Sequence, residues 1–542
     1  MATSDKPLED PGPPAEDDRD LVEALRESPL GRFAAFFPPK AYPKPTWVFT
    51  RFFFLRLLGL LYFVAFFSLY NQLLPLLGSR GLLPIERFLR AVEIHFGSSG
   101  AAITKLPTLF WFGSSDGLLT LMALVGTGLS LLVLAGATNA ILQAALWAIY
   151  LSFVQVGQIF YGYGWEMLLL EAGFLAIFLC PTQSFGPFPE RAPPPVLVVW
   201  LFRWLAFRLM FGAGLIKIRG DECWRDLTCL LYHYETQPNP NPLSPFLHHL
   251  PAWFHKAGVL FNHLVELIVP FFIFAPRRAR HIAGGLLVAF QASLIASGNL
   301  SFLNWLTIAV CLFCFDDALL GRLVPKSLRA RALSEATENP SRARRGVLYA
   351  LGIGVGILSL APVLNMLSPG QAMNASFEPL HLVNTYGAFG SVGKERFEVI
   401  LEGTESRELN EETQWREFEL PCKPGDVMRR PCLISPYHYR LDWQMWFAAM
   451  SKIEEEPWLV HLIYKLLQGD PGVRELLSKD PFDGRKPAFV RAELYRYVFT
   501  RPGEGGWWTR TRAGTYLRPV ALDDEELVAY LQAQGLIGAE DR

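Results

Sequence analysis

The chain has 542 residues, of which 51% are hydrophobic, 13% aromatic and 19% charged. The apolar content is higher and the charged content lower than in typical soluble domains, which indicates a protein that spans a membrane several times and carries polar parts. The formal net charge is −1. Because no excess of basic residues is present, we expect no nucleic-acid partner.

Residues 1–45 precede the first apolar stretch. Positions 1–30 are acidic and rich in proline, and such a segment cannot bury enough apolar surface to fold alone. The first apolar run begins near Phe52, too late for a cleavable signal peptide, so we expect it to remain as an anchor. The sequence therefore predicts a disordered cytoplasmic tail over 1–45.

Long apolar stretches fill the next part of the chain, 46–370, which we predict to be a membrane domain. A spanning helix needs about 20 apolar residues at a rise of about 1.5 Å per residue. About nine stretches fit this requirement, and the shorter ones have a re-entrant or buried helix as the alternative. The predicted spans are 52–77, 118–135, 138–155, 165–180, 196–216, 258–275, 282–297, 300–315 and 346–366.

Basic residues in the short connections predict the orientation of the spans. One basic group precedes the first span, a second lies at 276–280, and a third lies between 322 and 345. With nine spans all three groups fall on one side, which is then the cytoplasmic side. The N-terminus is therefore predicted to be cytoplasmic, and 78–117 and 217–257 form outer loops.

Residues 371–542 have the composition of a soluble domain. On the predicted topology this domain lies outside the cytoplasm, in a lumen or periplasm. Strand-like and helical patterns occur together, which predicts an α+β domain. The strand-like stretches are 396–402, 416–420, 488–500 and 507–520, and the helical ones are 440–452, 457–468 and 473–478.

The seven cysteines divide between the two sides of the predicted membrane. Those at the cytoplasmic ends of helices are Cys180, Cys311 and Cys314. Those on the outer side, where disulfides persist, are Cys223, Cys229, Cys422 and Cys432. Two local disulfides, Cys223–Cys229 and Cys422–Cys432, are predicted there, with four free thiols as the alternative.

Several polar side chains interrupt the predicted spans, at positions Glu166, Glu171, Arg203, Arg208, Asn262, His263 and Glu266. Counted from the outer ends of their spans, Glu171, Arg208 and Glu266 lie at a similar depth of about 10–12 Å. A charged group inside a membrane usually faces the bundle interior and finds a partner. We therefore predict one intramembrane cluster, which is either a structural ion-pair network or an outward-opening pocket.

The outer loop 217–257 is rich in potential metal ligands, namely His233, Glu235, His248, His249 and His255. A zinc site needs three or four ligands in tetrahedral range. The spacing of these residues fits no standard zinc pattern. We therefore expect no metal site and no cofactor.

Several long and uncommon sequence words resemble the lipase maturation factor family. They include GYGWEMLLLEAGF at 162–174, LFRWLAFRLMFGAGLIK at 201–217, CWRDLTC at 223–229, LVNTYGAFG at 382–390 and RLDWQMWF at 440–447. The resemblance covers roughly residues 47–520. Words of this length are highly specific.

The resemblance implies a multi-pass membrane protein of the endoplasmic reticulum that assists the folding and assembly of secreted dimeric lipases. Its partners would be membrane lipid and the client lipase, and it would be a maturation factor rather than a lipase. A link to the redox state of the lumen also belongs to this family picture. In a bacterium, the same topology would place the protein in the inner membrane.

A second resemblance points to an enzyme. The segment 211–217, with Asp221 and Trp224 after it, resembles the lysine segment of vitamin K-dependent γ-carboxylases, in which the lysine acts as a base. On this alternative, Lys217 would serve a carboxylase or oxidoreductase in an outward-opening pocket. The stretch 152–164 lacks the histidine expected to accompany that lysine. A broad exposed apolar patch on the C-terminal domain would favour the assembly factor instead.

Overall fold

The chain folds into a large set of apolar helices followed by a region with a small antiparallel sheet. The computed structural model describes residues 46–190, 192–334, 341–501 and 503–538. The predicted tail of residues 1–45 lies outside the described residues.

The helices before the sheet differ widely in length. They are α1 (Val48–Leu77), α2 (Ile85–Phe96), α3 (Ser99–Lys105), α4 (Asp116–Ala135), α5 (Ala140–Val156), α6 (Gly164–Leu179), α7 (Val196–Arg219), α8 (Glu222–Arg225), α9 (Leu230–Thr236), α10 (Ser244–His248), α11 (Ala252–His263), α12 (Arg277–Ser297), α13 (Leu303–Cys311), α14 (Asp317–Leu320), α15 (Lys326–Ser334), α16 (Arg342–Leu358) and α17 (Leu360–Leu367). Helix α11 continues as a π-helix over Leu264–Ile268 and as a 3-10 helix over Val269–Phe274, and α17 extends α16.

Six helical segments of the described residues are long and apolar enough to cross a membrane, in agreement with a multi-pass membrane protein. They are Val48–Leu77, Asp116–Ala135, Val196–Arg219, Ala252–Phe274, Arg277–Ser297 and Arg342–Leu367. A seventh span results if Leu303–Cys314 and Asp317–Leu323, which meet at a bend of 101°, count as one.

The predicted count of about nine spans is not confirmed. Two of the predicted spans correspond to α5, with 17 residues, and α6, with 16 residues. Both are shorter than the length that a straight crossing needs. Helix α6 also carries two buried glutamates, Glu166 and Glu171. The predicted span 300–315 is the first arm of the bent pair.

Helices α1 and α4 pack closely because small residues stand where they meet. A side chain at Gly59 would collide with the backbone of Leu134, and one at Gly126 would collide with the ring of Phe66. Small residues allow helix backbones to approach each other in membranes, where van der Waals contact is a main source of association.

The C-terminal region contains a four-stranded antiparallel sheet with the order β2-β1-β3-β4. Its strands are β1 (Arg396–Thr404), β2 (Arg416–Glu417), β3 (Phe489–Phe499) and β4 (Trp508–Val520). Its helices are α18 (Arg440–Ala448), α19 (Pro457–Gln468), α20 (Pro471–Glu475) and α21 (Glu525–Ala533). The combination of strands and helices agrees with the predicted α+β character.

The C-terminal region packs directly against the helices of the bundle. On α1, the amide of Gln72 donates to the His438 carbonyl at 2.8 Å and accepts from the Arg440 amide at 2.9 Å. Between α12 and α13, the Asn299 side chain accepts from the Ile434 amide at 3.1 Å. Buried apolar side chains of both regions form one continuous core. The two regions therefore meet through an ordered, buried interface.

One contact of this interface predicts a loss of stability in acid. His461 of α19 is buried, with its Nδ1 atom 2.8 Å from the Leu82 carbonyl, and burial lowers its pKa to about 4. Since the folded pKa lies below the unfolded value of about 6.5, this residue's contribution is complete above pH 6.5. It declines as pH falls through 4. Between pH 7.5 and pH 5 we expect the loss to be about 2 kcal/mol.

The measurement is the free energy of unfolding in detergent at these two pH values. We expect His461→Gln, which can still donate to Leu82, to reduce the pH-dependent loss. The exposed His95 supplies the control, and His95→Gln should behave like the wild type. An equal pH dependence in wild type and His461→Gln would contradict the prediction.

Candidate functional site

A buried ion pair joins α7 to α6 at the interface with the C-terminal region. The guanidinium of Arg208 contacts the carboxylate of Glu171, and both side chains are buried. Arg208 also donates to the Asn384 carbonyl at 2.6 Å, while Glu171 accepts from the Tyr386 hydroxyl at 2.8 Å and the Asn384 amide at 3.0 Å. The pair therefore binds the segment around 382–390 as well as joining two helices.

A second ion pair lies at the C-terminal end of α7. The Nζ atom of Lys217 donates to the Glu266 carboxylate at 2.7 Å and to the Asn262 side chain at 3.1 Å. The Asn262 amide in turn donates to Glu266 at 3.0 Å. The Trp224 ring centroid is 5.3 Å from Nζ, within the range of a cation–π contact. His263, on the same helix as Asn262, contacts the Trp224 carbonyl through Nε2 at 2.9 Å.

A third ion pair connects α6 to the first residue of α18. The Arg440 guanidinium lies 2.9 Å from the Glu166 carboxylate, and neither side chain has measurable exposure, at 0% each. Arg440 also donates to the Phe160 carbonyl at 2.5 Å and lies 3.4 Å from the centroid of the Tyr161 ring. Glu166 accepts from the Tyr150 hydroxyl. This pair is the most deeply buried charged contact between the C-terminal region and the helices.

Arg203 stands apart from these pairs, nearer the start of α7. Its Nε donates to the Phe313 carbonyl at 2.9 Å, and its guanidinium lies 5.2 Å from the Trp200 ring centroid. No carboxylate in the described residues is within ion-pair distance of it. Arg203 therefore links α7 to the turn after α13.

The interpretation that Glu171, Arg208 and Glu266 meet in one plane is wrong. Arg208 pairs with Glu171, whereas Glu266 pairs with Lys217 nearer the end of α7. Helix α11 begins at Ala252, earlier than the predicted 258. Since Glu266 pairs with Lys217 two residues before the end of α7, the N-terminal part of α11 extends beyond that end, and a depth counted from 258 misplaced Glu266.

The enzyme alternative requires an open pocket lined by Glu171, Arg208, Lys217 and Glu266, but these side chains are buried in the two pairs. Glu171 contacts Arg208, and Lys217 contacts Glu266. Their polar atoms face each other across helix contacts. A base must offer a free lone pair to its substrate, whereas the Lys217 ammonium donates to both oxygens of Glu266 and to Asn262.

A further charged group on the opposite side of the bundle was missed from the sequence. Asp316 accepts from the guanidinium groups of Arg277 at 2.8 Å and Arg280 at 3.1 Å. The neighbouring Asp317 accepts from the Val48 and Phe49 amides, each at 2.8 Å, at the start of α1. The signal was the adjacent pair of aspartates after the predicted span 300–315, together with the basic residues at 276–280.

Asn384, Tyr386 and Arg440 were also missed as partners of the polar cluster. They belong to the words at 382–390 and 440–447 that carry the family resemblance. The apolar pattern of the spans does not indicate which residues outside them contact the charged side chains inside. Those words were therefore the available signal.

Both predicted cysteine pairs are disulfides in the structure, Cys223–Cys229 and Cys422–Cys432. The cysteines that are free are buried, namely Cys180, Cys311 and Cys314. The carboxylate of Asp442 accepts from the Cys422 amide at 2.6 Å and the Lys423 amide at 2.7 Å. Burial raises the pKa of Asp442 to about 6. This network fixes one end of the disulfide loop against α18.

The histidines of the outer loop serve the packing of that loop. Glu235 accepts from the Phe499 amide at 2.8 Å and lies 3.6 Å from Nε2 of His248. Burial lowers the pKa of His248 to about 4, so this imidazole is neutral near pH 7. His233 packs with its ring centroid 4.8 Å from that of Phe389. Across the described ranges, no group of three or more potential ligands is arranged to hold a metal ion.

An apolar patch is exposed where the outer loop meets the sheet. The exposed Leu243 and Phe246 lie three residues apart at α10, and the Phe246 ring centroid is 6.4 Å from that of the half-buried Trp507. Met428, which is 64% exposed, lies beside Gly506. Met428 stands inside the loop that the Cys422–Cys432 disulfide closes. We call Leu243, Phe246, Met428 and Trp507 the outer apolar patch.

Comparison with known proteins gives matches over most of the chain. Residues 49–322 match the family model described as the lipase maturation factor transmembrane domain, and residues 382–518 match that of the lipase maturation factor C-terminal domain. No solved structure matches the chain.

Individual relatives agree with these models. Lipase maturation factor 1 of Bos taurus is 51% identical over 505 residues, which cover 88% of this chain and 90% of the relative. Lipase maturation factor 1 of Homo sapiens is 49% identical over 530 residues, covering 93% of each chain. Lipase maturation factor 2 of Gallus gallus is 32% identical over 600 aligned positions, covering 89% of this chain and 83% of the relative. The weaker resemblance to γ-carboxylases finds no support in these matches.

Proposed function

Because the chain belongs to the lipase maturation factor family, we propose that it is a membrane-embedded factor that assists the folding and assembly of secreted lipases. The observation that carries this proposal is the match of both family models, one on each side of the buried interface. The clients implied by the resemblance are dimeric lipases.

We propose that the protein lies in the endoplasmic reticulum membrane with its N-terminus in the cytoplasm and residues 371–542 in the lumen. If the bent pair Leu303–Cys314 and Asp317–Leu323 counts as a seventh span, all three basic groups still fall on one side and residues 371–542 on the other, which supports this orientation. The disulfides Cys223–Cys229 and Cys422–Cys432 would lie on the opposite side, where an oxidising compartment preserves them. The buried free cysteines would lie toward the cytoplasm.

We propose that the outer apolar patch binds the client lipase during folding, when the client has not yet buried all of its apolar surface. Exposed and contiguous apolar side chains are typical of protein-binding sites. The Cys422–Cys432 disulfide restricts the loop that presents Met428. The Asp442 carboxylate holds the base of this loop. The patch is therefore presented on a rigid support, which reduces the entropy that binding would otherwise cost.

Met428→Glu is expected to weaken capture of a co-expressed secreted lipase by about tenfold, since it places a charge in an apolar contact that binding desolvates. The measurement is the amount of lipase that co-purifies after crosslinking in cells. Met450→Glu is the matched control, because Met450 is 60% exposed and lies outside the patch. Equal capture by both variants would show that the patch does not bind the client.

We further propose that the Lys217–Glu266 pair is structural. Lys217→Met is expected to cost about 2 kcal/mol of stability, because it leaves the Glu266 carboxylate buried without its cation. Lys217→Met combined with Glu266→Gln should recover both stability and lipase maturation in cells. Melting in detergent and secreted lipase activity are the two measurements. A double variant that melts normally but stays inactive would favour the Lys217 base instead.

A further inference from the structure

An apolar groove of about 330 Å³ runs between α6 and α16. Phe174 and Phe178 line it from α6, and Val347, Leu351 and Gly354 line it from α16. All the side chains along the groove are apolar. Helix α16 belongs to a span of which only 28% is buried in the protein, so the groove is part of a surface that faces lipid.

One end of this groove meets a cluster of arginines. Helix α6 ends at Leu179, and the Cys180 carbonyl that follows accepts from Arg344 at 3.2 Å. Arg51 and Arg56 of α1 are also close enough to interact electrostatically with the Cys180 side chain. Arg344 lies three residues before Val347, so the two share a face of α16. The cationic end is therefore continuous with the apolar groove.

The described carboxylates near these arginines do not contact them directly, although Asp317 lies close enough to Arg51 to interact with it electrostatically. In the part of the chain that the structure describes, none of the three forms an ion pair with a carboxylate. Arg51 and Arg56 donate to the carbonyls of Ala192 and Ala137, at 2.6 Å and 3.0 Å. The Nε atoms of both, and Nη1 of Arg56, are buried without a hydrogen-bond partner. Buried donors of this kind ordinarily have an acceptor.

We propose that this site binds an anionic phospholipid, with one acyl chain in the groove and the phosphate at Arg344 and Arg56. Guanidinium groups recognise phosphate through paired N–H donors. The apolar lining offers no side-chain hydrogen-bond donor to a free anion or a polar peptide, whereas an acyl chain can pack against it. On the proposed orientation, this end faces the cytoplasmic leaflet, where basic pockets between helices bind anionic headgroups. The inference is independent of the lipase client.

The test is native mass spectrometry of the purified full chain with two lipids that share the same acyl chains. Dioleoylphosphatidylglycerol is the anionic probe, and dioleoylphosphatidylcholine is the zwitterionic one. We expect preferential retention of the anionic lipid, and a loss of about fivefold in its affinity for Arg344→Gln. Arg345→Gln, an exposed neighbour with the same charge change, should retain the wild-type preference.

A second pair of variants tests the groove. Gly354 lines it and Gly356 does not, and a Cβ atom added at either position has no atom within 4 Å. Gly354→Phe should therefore fold but exclude the acyl chain, whereas Gly356→Phe should bind lipid normally. Equal retention of the two lipids, or equal losses within either pair of variants, would overturn the proposal. A second outcome would also overturn it. If inorganic phosphate raises the melting temperature of wild type and of Gly354→Phe equally, and neither protein retains lipid, the site binds a free anion and not a phospholipid.

Discussion

Arg440→Met is expected to destabilise the folded protein by about 3–5 kcal/mol, because it leaves the carboxylate of Glu166 buried without its cation. The Glu166–Arg440 pair has no measurable exposure, and it joins α6 to the C-terminal region. The variant also loses the donor to the Phe160 carbonyl and the contact with the Tyr161 ring. Thermal unfolding and limited proteolysis in detergent measure the effect, and the C-terminal region should become the protease-sensitive part.

Two variants show whether burial causes this effect. Glu166→Gln combined with Arg440→Met removes both charges and should recover much of the stability, since no unpaired charge remains. Arg518 pairs with Asp524 at 2.8 Å on the surface, so Arg518→Met should cost less than about 1 kcal/mol. An Arg440→Met protein as stable as Arg518→Met would contradict this account of the interface.

Arg208→Ala is expected to have an effect of similar size, about 3–5 kcal/mol, on folding in detergent. The change leaves Glu171 without its cation, although the Tyr386 hydroxyl and the Asn384 amide still donate to it. It also frees the Asn384 carbonyl, which Arg208 now binds at 2.6 Å. The segment around 382–390 should then detach from α6 and α7. The fall in melting temperature measures the loss.

The outcome separates the structural role of this pair from a catalytic or substrate-binding one. Arg90→Ala is the control, because Arg90 and Glu86 form an exposed pair on α2, and it should melt like the wild type. A loss of stability and of lipase maturation together supports a structural pair. Normal melting of Arg208→Ala with complete loss of function would instead indicate that Arg208 contacts a substrate.

Local patterns predicted most elements of the C-terminal region, although helix α21 (Glu525–Ala533) was not predicted. The predicted helix 457–468 coincides with α19, which has Pro457 in its first turn and Gly469 in a left-handed conformation after its end. Proline and glycine favour these positions. The predicted strand 488–500 contains β3, since strand-forming residues and nearby turn residues mark both ends. Such signals are contained within a few neighbouring residues.

The partners of the buried charges could not be predicted in the same way. Glu166 and Arg440 are 274 positions apart in the chain, and the pattern of one helix does not specify which distant residue meets it. Depth counting placed Glu171, Arg208 and Glu266 at one depth, but only Glu171 and Arg208 are in contact, whereas Glu266 pairs with Lys217. It assumes that all helices end at one level, whereas α11 projects beyond α7.

The number of spans was uncertain for a related reason. Apolar runs such as 138–155 and 165–180 satisfy a composition test even where the helix is short. Helix α6 is covered by neighbouring helices and by the C-terminal region, so its length is not set by the bilayer alone. An apolar run in the sequence does not distinguish a helix covered by lipid from one covered by protein.

The most direct test of the central claim is the specific activity of a secreted dimeric lipase in cells that lack their own maturation factor. We predict that expression of this chain restores active lipase in the medium, measured as activity per mass of lipase. Arg440→Met should restore little, and the Glu166→Gln/Arg440→Met protein should restore more. The proposed function would be contradicted if the wild-type chain is expressed normally and reaches the membrane but the lipase stays inactive.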